Sequence, residues 1–165
     1  SIAADITMKI PVDNSTVNAY SNVSSLIEDK KIKSGLLPSV FLQETDMGQG
    51  WQRTGDLIHT PVKYSSILIL PSSGSKLTQD ISKFPGSQDA VTQYAQTKSA
   101  NSGETHIAIT AGDEGYGFES IRKTGVVFRQ GPYLVQLTSY SVPPVSLDEL
   151  KRLATLVSGR ITQTN

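Results

Sequence analysis

The stretch from Gly125 to Arg160 places the tightest constraint on the fold. VVFR follows Gly125, Gly131-Pro132 offers a reversal, YLVQLTSY continues, Pro143-Pro144 interrupts, and SLDELKRLATLVSG leads up to Arg160. Val127, Phe128, Tyr133, Val135 and Leu137 have the β-branched and aromatic character of paired strands, so the segment reads as an antiparallel hairpin feeding a helix. Ser146 can accept a bond from a free amide of the first helical turn, and Glu149, three residues on, can return one to the Ser146 amide, forming a capping box. Leu147, Leu150, Leu153, Ala154, Val157 and Ile161 then recur every three or four residues as one apolar stripe. Lys151, Arg152 and Arg160 fall away from most of that stripe and are expected to be solvated.

A two-stranded ribbon and a one-faced helix cannot bury themselves alone, so the rest of the chain must complete their core. Its 165 residues are enough for a single domain over residues 1–165. Residues 6–12, ITMKIPV, read as an opening strand with Pro11 arguing for an edge, and Ser24 to Glu28 as the start of a short helix ended by Gly35. From Leu36 to Arg53, large apolar residues are dispersed among Pro38, Gly48 and Gly50 with no single period, which suits a coil that buries big side chains. KYSSILIL at 63–70 reads as a central strand. Leu77, Ile81 and Phe84 follow helical spacing up to Pro85-Gly86, and Ser87 to Lys98 reads as a further helix with Ala90, Val91, Tyr94 and Ala95 inward. Strands at 105–111 and from Tyr116 toward Arg122 precede the hairpin. The order of elements gives an α+β fold, an antiparallel β-sheet flanked by helices with the C-terminal helix packed on the sheet.

Composition narrows the function classes. Fifteen Lys and Arg against fifteen Asp and Glu leave a formal charge of zero, without the basic excess that neutralises a phosphate backbone, so no nucleic-acid partner is expected. The longest apolar run, ILIL, is strand-sized. Cysteine is absent, which removes disulfides, thiolate nucleophiles and cysteine metal sites. Frequent Ser, Thr, Gln and Asn, with only 18% charged residues, resemble an exported domain more than a cytosolic enzyme. Extracellular or cell-envelope localisation is therefore expected, the domain being either exported or tethered to a membrane through residues before Ser1.

Catalytic patterns are missing. His59 and His106 fall on separate segments, and Asp56 with His59 lacks both HExxH and a third ligand, so no metal is expected. Asp113 and Glu114 are adjacent acids at a glycine-rich turn, where Asp113 is best read as a turn former bonding nearby amides. No serine sits in GxSxG, and GDEGYG differs from the dinucleotide-binding GxGxxG; no cofactor is expected. Binding has a positive argument. Trp51, Arg53, Tyr116, Phe118, Arg122 and Arg129 combine flat rings with guanidinium forks suited to an anionic or aromatic ligand if the fold brings them together. The competing reading puts the aromatics in the core and the arginines at sheet edges.

The features from Gly112 to Ile161 also carry a family resemblance. Gly112-Asp113-Glu114, Phe118, Phe128-Arg129-Gln130-Gly131, Leu134 to Tyr140 and Leu147 to Arg160, with Leu36-Leu37-Pro38 and Gly50-Trp51 before them, resemble small exported sensor-like or lipoprotein domains of bacteria. Some of these are similar in architecture to the PsbP/Mog1 class. The resemblance implies a noncatalytic accessory role with a small molecule or an envelope protein as partner. A structural subunit of a secreted or surface assembly is the second reading, and a hydrolase using His59 or His106 the third.

Overall fold

A computed structural model describes residues 35–164, the side chain of Asp56 excepted. The expected strand at 6–12 and the helix beginning at Ser24 lie outside the described residues, as does the N-terminal part of the single domain expected over 1–165. From Leu36 onward the chain forms one compact unit. Its elements are a 3-10 turn, Pro38–Val40; a single helical turn α1, Glu44–Met47; β1, Gln52–His59; β2, Lys63–Leu70; β3, Ser75–Lys83; α2, Ser87–Ala100; β4, Ile107–Ala108; β5, Glu114–Ser120; β6, Lys123–Gln130; β7, Tyr133–Tyr140; and α3, Leu147–Gln163. Among the described residues the strands make one antiparallel sheet of order β1-β2-β3-β7-β6-β5-β4. The α+β class and the C-terminal helix on the sheet are as the sequence implies.

Alternation along β6 and β7 gives the sheet two buried faces. Val126, Phe128, Val135 and Leu137 point to the side covered by α3, whereas Val127 and Leu134 join Tyr94, Tyr116 and Phe118 beneath α2. Six residues of α3, the stripe read from the sequence, are buried against the first face. Burial of its large side chains stabilises the fold by roughly 2 kcal/mol apiece. Only Ala90 and Tyr94 of α2 are fully buried, so that helix is held more weakly.

Ser146 caps α3 by accepting the Glu149 amide at 3.2 Å. The return bond of the expected capping box does not form, because the Glu149 carboxylate takes the Arg152 guanidinium at 2.8 and 2.6 Å instead. The β6–β7 turn falls at Gly131-Pro132, with Gly131 at φ +54, where a Cβ would be strained. Opposite Gly125 in the register lies Phe118, whose ring rests on the bare glycine backbone.

Three expectations are corrected. Residues 75–83 form β3 rather than a helix: Leu77 and Ile81 are four apart on one strand face, and the residue between them on that face, Gln79, is polar yet fully buried. Its polarity hid the two-residue period. Residues 52–59 form an edge strand that mixed polar and glycine content concealed, and the strand expected over 105–111 shortens to Ile107–Ala108. The coil from Leu36 does bury Leu36, Val40, Phe41, Leu42 and Met47, and Gln79 explains how. Its Oε1 accepts the Leu42 amide at 3.0 Å, and its Nε2 donates to the Leu42 carbonyl at 2.9 Å and to Ser66 at 3.0 Å. One side chain thus supplies what a neighbouring strand would have offered.

Candidate functional site

The six side chains singled out for binding do not converge. Trp51 immediately precedes β1 and packs partly buried on the α3-face core. Arg53, in β1, donates to Gln43 at 2.9 Å and lies 3.7 Å from Glu44, while its Nε is buried without a partner. Tyr116 and Phe118 belong to β5, five strand positions across the sheet, a separation of about 24 Å. Both are core residues, each 2% exposed. Arg122 is exposed in the β5–β6 turn. Arg129 is occupied internally, donating to Glu114 at 2.8 Å, to Asp113 at 3.3 Å and to the Gly131 carbonyl at 3.2 Å. The Asp113 carboxylate also accepts the Gly131 amide at 2.7 Å, so it braces the β6–β7 turn 18 positions away and not the amides of its own turn as expected.

What the fold does assemble is an open groove of about 500 Å³ between the C-terminal half of α2 and the β4–β5 edge. Val91, Tyr94, Lys98, Ser102, His106 and Glu114 line it. Asn101, which caps the end of α2, organises its inner wall by donating its side-chain amide to the Tyr116 hydroxyl at 2.8 Å and offering its carbonyl to His106 Nε2 at 2.9 Å. Since a carbonyl can only accept, that bond requires a proton on His106 Nε2. The imidazole lies 4.4 Å from the Tyr116 ring, which packs edgewise against Tyr94 at 5.9 Å, and Lys98 Nζ stands 5.9 Å over Tyr116.

Tyr94 is the distinctive member. The residue is 5% exposed, and its hydroxyl, which makes no protein hydrogen bond among the described residues, is not sealed from solvent. Burial, then the charges of Glu114 and Tyr116, push its pKa up to about 12, so it remains a proton donor near neutral pH. Burial likewise raises the Tyr116 pKa. Sequence reasoning named Tyr94 only as an inward helix residue; its place in a groove depends on the α2–β4 connection, which no local pattern reports.

Across the sheet His59 is exposed and packs edgewise on Phe41 and Tyr64, at 5.1 and 5.7 Å. Among the described residues no three His, Cys, Asp or Glu side chains gather as metal ligands, and no hydrogen bond joins either histidine to a serine or carboxylate. No described helix is long and apolar enough to cross a membrane. No protein-family model, curated protein or solved structure matches the chain.

Proposed function

We propose that the chain is a noncatalytic ligand-binding domain of the cell envelope or exterior, taking a small molecule in the groove beside α2. The observation that carries this reading is Tyr94: a tyrosine with 5% exposure lines an open groove and keeps a hydroxyl unclaimed within the described domain. Binding sites pair such fixed polar groups with apolar walls, here Val91 and the His106 ring. The aromatic lining and the adjacent Lys98 suit a flat ligand bearing an acceptor group. The envelope or exterior assignment comes from the polar, weakly charged composition, and the PsbP/Mog1-like resemblance stands as part of the same proposal. Catalysis is not proposed, because His106 spends its Nε2 proton on a backbone carbonyl and the groove holds no base–nucleophile pair.

The test is a structure and native mass spectrum of protein purified without stripping small molecules, followed by titration of whatever is retained. A ligand in the groove whose affinity falls about tenfold in Tyr94→Phe, the value of roughly one hydrogen bond, is the expected result. A ligand seated at Trp51 and Arg53, or unchanged affinity in the variant, sinks the assignment to this groove.

A further inference from the structure

A cluster of exposed apolar side chains lies at the end of the sheet away from Glu114. Ile121 is 86% exposed, Val142 69% and Tyr140 61%. The strand register accounts for their proximity. Ser120 pairs with Lys123, making Ile121 and Arg122 the two residues of the β5–β6 turn, and Lys123 pairs in turn with Tyr140, two residues before Val142. Turns of this length ordinarily take Asn, Asp or Gly, so an isoleucine in solvent is not explained by turn formation. Val142 is not on a loose loop either. The Ser75 and Ser141 hydroxyls donate to the Pro143 carbonyl at 3.0 and 2.9 Å, Ser141 accepts the Lys76 amide at 3.2 Å, and Ser139 accepts the Val145 amide at 2.8 Å. The domain therefore fixes the loop while leaving its apolar side chain in water.

Cations flank the cluster. Arg122 and Lys76 are exposed, and Lys123 Nζ lies 5.1 Å from the Tyr140 ring. The nearby acids are Glu104, already paired with Lys123 at 3.1 Å, and exposed Glu119. Arg122 and Lys76 make no ion pair among the described residues. Around the cluster Lys76, Arg122 and Lys123 stand against Glu104 and Glu119, and of the three cations only Lys123 is paired among the described residues.

We propose that this end docks on an anionic lipid surface, with Ile121, Tyr140 and Val142 entering the headgroup boundary and Arg122 and Lys76 facing lipid phosphates. Apolar side chains on a turn and a loop can enter such a boundary without rearranging the sheet, and a tyrosine ring with its polar tip suits the same depth. Cations close to an anionic leaflet add attraction that salt screens. Three side chains form a small, projecting contact, whereas a stable protein interface occupies about 800 Å² on each partner. The contact is reversible rather than an anchor. It uses none of the side chains that line the groove, although Ser102 and His106 flank Glu104, which Lys123 holds at 3.1 Å.

The test is co-sedimentation of the full chain with vesicles of phosphatidylcholine alone and of phosphatidylcholine mixed with phosphatidylglycerol. Binding to the anionic vesicles that weakens with added salt is expected. Ile121→Glu and Val142→Glu should each lower partitioning by about tenfold or more, while Val62→Glu in the β1–β2 turn at the opposite end leaves it unchanged. All three positions are exposed, and equal urea midpoints establish that the comparison is between folded proteins. Failure of the wild type to bind either vesicle overturns the proposal, as does equal loss in Val62→Glu. Self-association abolished by Ile121→Glu without vesicle binding also overturns it, making the cluster a protein contact.

Discussion

Asp46 and Arg160, 114 positions apart, meet in a two-pronged ion pair with N–O distances of 2.7 and 2.9 Å. The same guanidinium donates to the Phe41 carbonyl at 2.9 Å, the carboxylate also accepts the Gln43 amide at 2.8 Å, and Arg152 donates to the Asp46 carbonyl at 2.8 Å. One face of the sheet is covered partly by α3 and partly by the coil around α1. These bonds fasten the two covers together. Arg160, expected in solvent, is thus a clamp residue, and its planar fork matches the carboxylate in a way a lysine does not.

Arg160→Ala is expected to destabilise the domain by about 2 kcal/mol, the range for a partly shielded, charge-assisted contact. Arg160→Lys should recover only part of the loss, because a compact ammonium lacks the planar fork that meets both carboxylate oxygens side by side. Urea unfolding of the three proteins measures this; equal midpoints for wild type and Arg160→Ala would remove the clamp from the account of stability.

Acid should act through the same pair. The Arg160 hydrogen bond, opposed by burial and aided by the Gln43 amide, holds the Asp46 carboxyl below its ordinary value of 3.8. A depressed folded-state pKa means that the stabilisation is present above 3.8 and disappears as pH falls through the lower folded value. Wild type should therefore exceed Asp46→Asn in stability at neutral pH, and the difference should shrink as pH drops below that of an ordinary aspartate. A difference that stays constant down to acid unfolding contradicts the assignment.

Gln79→Leu keeps similar bulk but strands the Leu42 amide and carbonyl in a dry site, with an expected cost of about 3 kcal/mol. Hydrogen exchange at the Leu42 amide gives a local readout. Faster exchange in the variant at matched global stability supports the bridging role, and unchanged protection argues that Leu42 finds another partner.

Ser146→Ala is expected to cost about 1 kcal/mol through loss of the α3 cap. Since Glu149 bonds Arg152 rather than the Ser146 amide, Glu149→Ala should cost less than the serine change. Denaturant midpoints for the two variants decide between this one-sided cap and a full capping box.

The C-terminal half was legible because its signals are local. Alternation from Val126 to Leu137, the Gly131-Pro132 reversal and the 3.6-residue stripe from Leu147 to Ile161 each lie within a short window, and all require the same hairpin and helix. β3 was not legible, since Gln79 breaks the apolar alternation and its burial is tolerable only because Leu42 and Ser66 meet its amide. Of the site, sequence reasoning selected Tyr116 and Phe118 but could not tell that α2 covers them, and it considered His106 without the Asn101 bond that orients it.

By itself the sequence determined the class of the fold, the hairpin–helix unit, the Ser146 cap and the exclusion of cysteine chemistry, because these follow from residue type and short-range spacing. The tertiary structure alone decided that Arg160 would clamp Asp46, that Trp51 and Arg53 would stand about 24 Å from Tyr116 and Phe118, and that Tyr94 would line a groove. Each of those outcomes joins segments distant in the chain. Their proximity is set by the strand order and by which face each helix covers, quantities that no short window of sequence encodes.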